Sequence, residues 1–174
     1  MKEYPWYCIL KSNESLQQGD FIPFCPIIIP TINIRSKEID TKVREYNVVV
    51  MSQSCDLIQG KVDLVLVCPI WTLKEIEDEN DFYKSTRWKN ILRHGYIPGY
   101  HLLNKCSLKE FEKDFVVVDF KNVYGVPFEF LKELIQREGK RLSLMSPYKE
   151  HLSQAFARFF MRVGLPIDIP EFKK

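Results

Sequence analysis

The segment 52–56, Ser-Gln-Ser-Cys-Asp, contains residue types that could carry out nucleophilic chemistry. A cysteine nucleophile requires a base, normally a histidine, and surroundings that favour the thiolate. His94 and His101 are the candidate bases for Cys55, but no local motif places either of them beside it. Asp56 directly follows Cys55, and its negative charge disfavours the thiolate. We therefore do not expect cysteine catalysis.

A second chemistry for the same segment is metal binding, with the two histidines as further ligands. Structural zinc sites use paired ligands at short spacing, which is missing from this sequence. We therefore expect no metal and, because there is no glycine-rich phosphate loop, no nucleotide cofactor. The simplest interpretation is a tight turn in which Ser52, Ser54 and Asp56 hydrogen-bond the backbone. Gln53, Cys55 and Asp56 are then candidates for lining a groove.

Length and composition indicate a single globular domain. The chain has 174 residues, of which 45% are hydrophobic, and this is enough to bury a core. Its formal charge of +2 provides no general attraction to nucleic acid. The densest basic stretch, 84–93, follows acidic residues at 75–81 and is typical of a solvated helix face. No apolar run reaches the roughly 20 residues that span a bilayer, so we expect a cytoplasmic protein with reduced cysteines.

Two short runs rich in β-branched residues, Val48–Val50 and Leu64–Val67, predict buried strands. The segment 4–10 contains Pro5 and is predicted to be an edge strand, because proline is tolerated at sheet edges. The charged segment 36–45 is predicted to be a surface loop.

A helical segment is predicted between residues 72 and 95. Thr72 and Glu75 fit a capping box, in which the two side chains satisfy free backbone N–H groups at the start of a helix. A second helix is predicted from about Asp81 to Arg93. It should end at Gly95, because glycine readily adopts the left-handed conformation that terminates helices.

Two more helices are predicted later in the chain. Pro127 precedes the segment 128–138 and Gly139 follows it, which is the proline-first, glycine-last pattern of helices. The last helix is predicted from Ser146, as its cap, to Val163, with apolar residues at three- and four-residue steps.

Part of the last helix lies off the centre of this apolar stripe. Phe160 and Met161 lie there, and Arg158 and Arg162 flank them. An aromatic and methionine surface edged by arginine is typical of protein interfaces, so these four residues are candidates for protein binding. A broad core-facing side of the helix is the alternative interpretation.

The order of these segments resembles the MazF/PemK-like toxin superfamily, whose members form a small SH3-like β-barrel followed by a helix. The resemblance rests on Gly19-Asp20 before a hydrophobic strand, on the run 48–52, and on a strand ending in Pro69-Ile70. Segments 115–120 and 140–145 are similar to its late strands. It implies a mainly β (α+β) single domain over 1–174, an SH3-like barrel with a helical insertion at about 72–95 and a C-terminal helix.

In ribonuclease members of this superfamily, an Arg-Pro pair opens the strand that matches Val48 to Met51, and a threonine follows the matching Pro-Ile. These side chains stabilise charge on the attacked phosphate and assist the 2′-hydroxyl. Here the Arg-Pro positions are Tyr46-Asn47 and the threonine position is Trp71, a further candidate groove residue. The resemblance therefore implies lost catalysis. Substitutes would require a register shift, and the candidates are Arg44 or Arg87 with Thr72 or Ser52.

Three functions remain open from the sequence. The first is a catalytically inactive protein-binding module of a bacterial defence or stress-response operon. The resemblance implies a role such as that found in type III CRISPR loci, where a sigma-like factor is held inactive until a Lon-like protease releases it. The second is an active sequence-specific endoribonuclease toxin paired with an antitoxin-like chain, and the third is a nucleic-acid-binding regulator without catalysis. The partner, the trigger and the oligomeric state are left open.

Overall fold

A computed structural model describes residues 5–33 and 38–161 of the chain, which form an α+β fold. The strands are β1 (Tyr7–Lys11), β2 (Phe21–Asn33), β3 (Glu38–Val50), β4 (Leu64–Thr72), β5 (Tyr100–Leu103), β6 (Val116–Asp119), β7 (Tyr124–Pro127) and β8 (Lys140–Leu144). The helices are α1 (Ser54–Ile58), α2 (Leu73–Glu79), α3 (Thr86–Arg93), α4 (Phe128–Glu138) and α5 (Tyr148–Phe160), with a 3-10 helix at Asp81–Lys84.

β4 is the central strand of an antiparallel sheet with the order β2-β3-β4-β6-β5. One edge of β4 pairs with β3, and the other pairs with β6 near its end and with β7 near its start. Ile70 lies opposite Val118, whereas Val67 lies opposite Tyr124. The register therefore shifts by three residues between β6 and β7, which the turn at 120–123 separates.

β1 and β8 form a separate antiparallel pair, which a single bridge from Asp20 to Ser143 connects to the start of β2. Among residues 5–33 and 38–161, no strand pairing joins this pair to β5. The α+β class is therefore confirmed, but a closed barrel is not observed. β1 approaches the chain after β5 through a side chain, because the Tyr7 hydroxyl donates to the Asn104 carbonyl.

The two faces of the sheet bury separate cores, as expected from the alternation of side chains along strands. Val49 and Cys68 belong to the face covered by α5, which contributes Leu152 and the partly buried Phe156. We call this the α5 face. Val48 and the other alternate residues belong to the α4 face, covered by α4 through the residues Leu131, Leu134 and Ile135.

A third, smaller core holds the helices between β4 and β5 on the sheet. Ile76 from α2 and Trp88 from α3 pack on Val117 of β6, with Trp71 at the border. This is the helical insertion predicted for 72–95, although its second part is a 3-10 turn followed by the shorter helix α3. Gly95 has the left-handed φ of 72° expected just after this helix.

The prediction of a surface loop at 36–45 is wrong for residues 38–45, which belong to β3. Residues 34–37 lie outside the described chain. The segment pairs with β2, for example Ile28 with Val43, while the side chains of residues 40–45 stay exposed. Backbone pairing therefore forms this strand without a buried apolar face. Apart from the bridge at Asp20, β2 pairs only with β3 in the described part of the chain, so β2 is an edge strand. It contains Pro23, Pro26 and Pro30.

The last two helices lie where they were predicted. α4 spans Phe128–Glu138 and is followed by Gly139 with a φ of 77°. α5 begins after Pro147, and no side chain caps its N-terminus in the way predicted for Ser146. The Ser146 hydroxyl instead donates to Glu150 at 2.7 Å. Within the described part of the chain, every helix is too short or too polar to cross a bilayer.

Candidate functional site

A groove of about 570 Å³ opens where β3, β4 and the turn between β6 and β7 meet. We call it the aromatic groove. Tyr46 and Trp71, which lie on β3 and β4, are among its walls. The full lining is Ile29, Arg44, Glu45, Tyr46, Pro69, Trp71, Asn122 and Tyr124.

Three rings form one packed cluster in this groove. Tyr46 meets Trp71 edge-on with ring centroids 5.9 Å apart, and it stacks on Tyr124 at 5.8 Å. Strand alternation explains this placement, since Tyr46 is two residues from Val48 and packs on the same α4-face core. The cluster is therefore held in place by the sheet rather than free to rearrange.

Arg44 supplies the positive charge of the groove and is exposed. Tyr124 lies deeper, and burial raises the pKa of its hydroxyl, with further increases from the charge and hydrogen bond of Tyr46 and an opposing effect of Arg44. The Tyr124 hydroxyl is consequently protonated at neutral pH. The groove combines flat apolar surfaces, hydroxyl groups, the guanidinium of Arg44 and the carboxylate of Glu45.

The hydroxyls proposed as catalytic substitutes have structural partners. Thr72 Oγ1 donates to Glu75 Oε2 at 2.8 Å and accepts from the Glu75 backbone N–H at 3.2 Å, which completes the predicted capping box. Ser52 Oγ accepts the backbone N–H of Leu66 at 2.8 Å. Arg87 is exposed on α3. The structure thus brings Arg44 to Tyr46 and Trp71, and it leaves Thr72 and Ser52 in backbone-supporting roles.

Gln53, Cys55 and Asp56 lie at the start of α1, on a short turn beside the sheet. Cys55 Sγ is 3.6 Å from Gln53 Oε1 and 3.8 Å from Asp56 Oδ1. Ser54 Oγ accepts the backbone N–H of Gln18, 36 residues away, so this hydroxyl connects α1 to a distant segment and does not bond the local turn as predicted. The groove containing Trp71 is lined by other residues.

The candidate bases do not lie on the same face as Cys55. The α1 helix that carries Cys55 packs Leu57 into the α4-face core, whereas the His101 ring stacks on Phe120 of the α5-face core. Within the described residues, no group of three or more histidine, cysteine or acidic side chains could hold a metal ion.

The proposed interface residues of α5 are exposed at its C-terminal end. Phe160 is 61% exposed and Met161 is 77% exposed. The Phe160 ring contacts Phe156 and Phe159 edge-on, so it extends the α5-face core outward. Arg158 is also exposed, and Arg162 lies outside the described residues.

Sequence reasoning missed the convergence of all three histidines on one cleft. This histidine cleft has a volume of about 720 Å³ and lies between α5 and the turn after α3. His94 comes from the end of α3, His101 from β5 and His151 from α5. No spacing rule links these positions, because they meet only through the packing of α5 on the sheet.

The buried histidine makes stability dependent on pH. Burial, reinforced by His151 and Arg158, lowers the pKa of His101 from 6.5 to about 4. Between pH 6.5 and 4, His101 is therefore protonated in the unfolded chain but not in the folded chain. The free energy of unfolding decreases as the pH is lowered through this window. We expect a loss of about 2 kcal/mol between pH 7 and 5 from this group.

Urea unfolding of the wild type and of His101→Gln at both pH values measures this contribution. The difference between pH 7 and pH 5 should shrink in the variant, because glutamine does not titrate. His94→Gln is the matched control, since His94 is exposed. An equal pH dependence in the wild type and His101→Gln would contradict the assignment.

Comparison of the chain with protein families, curated proteins and solved structures found no match.

Proposed function

We propose that this chain is a non-catalytic, MazF-like binding domain that holds a protein partner in its aromatic groove. The observation that carries the proposal is the Tyr46–Trp71–Tyr124 cluster beside Arg44. Where the resemblance calls for an arginine and a hydroxyl, the chain has two rings packed against each other. Tryptophan, tyrosine and arginine are also the residues that contribute most to protein–protein binding.

The groove meets the physical requirements of a binding hot spot. The Tyr46 ring is fixed by contacts on two sides, so little side-chain entropy is lost when a partner covers it. The Tyr46 and Tyr124 hydroxyls hydrogen-bond each other, which leaves one of their two O–H groups to donate to a partner, and Arg44 can pair with a carboxylate. These features favour an apolar segment that carries an acidic residue.

The biological role in this proposal is based on the resemblance of the sequence to the MazF/PemK-like superfamily. A sigma-like factor, or another effector protein, would be held inactive in the groove until a protease cleaves the complex. Phe160 and Met161 at the end of α5 provide a second apolar surface for the same partner. We also propose that the fold has an SH3-like architecture of the MazF/PemK type.

Ribonuclease activity is the second candidate function, favoured by the position of Arg44 inside the groove. Cleavage also requires a group to activate the 2′-hydroxyl, and the Thr72 hydroxyl is engaged by Glu75. We therefore expect long single-stranded RNA to remain intact with the wild-type protein. Specific cuts that disappear in Arg44→Ala would establish the second candidate instead.

Partner capture from the source cells tests the binding proposal. Arg44→Glu reverses the charge in the groove without disturbing a buried side chain. We expect at least about tenfold weaker binding of the captured partner, equivalent to about 1.4 kcal/mol. Arg87→Glu is the matched control on the exposed face of α3. Equal binding by both variants and the wild type would exclude the groove as the binding surface.

A further inference from the structure

The histidine cleft carries the positive charges of two arginines, which the proposed groove does not use. Its polar side chains are two arginines, three histidines and one glutamine, and its lining has no carboxylate. These residues are Arg93, His94, His101, His151, Gln154 and Arg158. The aromatic groove shares no residue with it.

The two arginines are available to a ligand. Seven ion pairs occur within the described residues, and neither Arg93 nor Arg158 takes part in them. Both side chains are exposed at the cleft. By contrast, the nearby Lys89 is paired with Glu77 at 2.6 Å. An unpaired guanidinium binds phosphate oxygens in a two-pronged geometry that lysine cannot reproduce.

Carbonyls at the C-terminal end of α3, which would repel an anion, are engaged by local hydrogen bonds. The Asn90 carbonyl accepts the His94 backbone N–H at 3.1 Å and lies 2.6 Å from His94 Nδ1. The Leu92 carbonyl accepts the Gly95 N–H at 2.9 Å. With Nδ1 turned to the Asn90 carbonyl, the His94 ring offers an N–H to a phosphate oxygen only through Nε2 of the doubly protonated ring.

The remaining wall of the cleft is apolar and partly aromatic. Leu92, Ile97, Pro98 and Leu102 contribute this wall, together with Tyr100. The volume of about 720 Å³ lies within the range of about 300–1,000 Å³ that is typical of small-molecule sites. A cleft that has positively charged side chains in one part and an apolar wall in another fits a ligand that has an anionic group and a ring.

We propose that the histidine cleft binds an organic phosphate of nucleotide size. The phosphate lies between Arg158 and the histidine side chains, and the ring of the ligand packs against Pro98 and Ile97. A free nucleotide and a nucleotide at the end of a strand offer this same chemistry. The site is independent of the partner-binding groove, so either assignment can fail without the other.

Calorimetric titration of the full chain with inorganic phosphate, adenosine monophosphate and a 5′-phosphorylated oligonucleotide tests this site. We expect saturable binding of adenosine monophosphate or the oligonucleotide that is tighter than that of phosphate alone. Tighter binding of the oligonucleotide identifies a strand end as the source, whereas equal binding identifies the free nucleotide. Absence of saturable binding by about 1 mM for all three probes would overturn the proposal.

Two variants localise the binding. Arg158→Gln should weaken the affinity for the tighter-binding probe by at least about tenfold, or about 1.4 kcal/mol, because one charge-assisted contact is lost. Arg137→Gln removes an exposed arginine of α4 and should leave binding unchanged. Thermal unfolding of both variants should match the wild type, since neither side chain is buried. Equal weakening in both variants would show unspecific attraction and would also overturn the site.

Discussion

Replacing Arg141 with methionine is expected to lower the free energy of unfolding by about 3–5 kcal/mol. Arg141 is 2% exposed and its partner Asp20 is fully buried. Arg141 Nε donates to Asp20 Oδ2 at 2.6 Å. Removing only the guanidinium leaves a carboxylate inside the protein without its opposite charge, which is far more costly than removing an exposed ion pair.

The same guanidinium also joins separate parts of the fold. It donates to the backbone carbonyls of Lys11, Glu14 and Ser15 at 2.7–3.0 Å. The Asp20 carbonyl in turn accepts the Val50 N–H at 2.9 Å. Arg141 therefore holds β8, the end of β1 and the start of β2 together. In the variant the Glu14 and Ser15 carbonyls would lose the Arg141 donor, whereas the Lys11 carbonyl would keep the Glu14 N–H, and these lost bonds add to the expected loss.

Chemical denaturation at neutral pH measures the effect. Arg137→Met is the matched control, because the Arg137 side chain is 73% exposed and pairs with Glu138 at a distance of 3.6 Å. Its effect should stay within about 0.5 kcal/mol. A loss below about 1 kcal/mol in Arg141→Met would mean that the buried pair contributes no more than a typical surface pair.

Replacing Trp88 with alanine is expected to cost about 3–5 kcal/mol and to release the helical insertion. Trp88 is 4% exposed and packs with Ile76 and Val117 in the small third core. Its ring also lies 4.7 Å from that of Tyr83, measured between centroids. So small a core has few other contacts to compensate for a large cavity.

Hydrogen exchange distinguishes local release from global destabilisation in this variant. Amides of α2 and α3 should lose protection first, while those of β4 retain more. Phe82→Ala provides the control, because Phe82 belongs to the same insertion but is 63% exposed. Uniform loss of protection across the sheet would contradict an independent role of the third core.

The helices could be predicted from the sequence because local sequence signals define their ends. The capping box at Thr72 and the glycine after Glu138 act within a few residues of the helix they bound. Whether the sheet closes into a barrel could not be predicted from the sequence. Closure depends on whether β5 pairs with β1, and these strands are nearly a hundred residues apart in the chain. The strand at 38–45 was missed because backbone pairing with β2 outweighs a polar composition.

The candidate site was predictable in part. Trp71 was predicted to line a groove together with Gln53, Cys55 and Asp56. The groove that contains Trp71 is lined by Arg44 and Tyr46 and by none of those three residues. The separation of Cys55 from the histidines depends on which sheet face each element covers. Strand alternation alone does not decide which of two faces a distant helix packs against.

The prolines of β2 affect the behaviour of the protein at high concentration. An exposed strand edge is a template on which a second chain can add its own strand and begin aggregation. Pro23, Pro26 and Pro30 carry no N–H, so this edge offers an interrupted row of donors to such a chain. The long hairpin can therefore extend into solvent without promoting polymerisation through its edge.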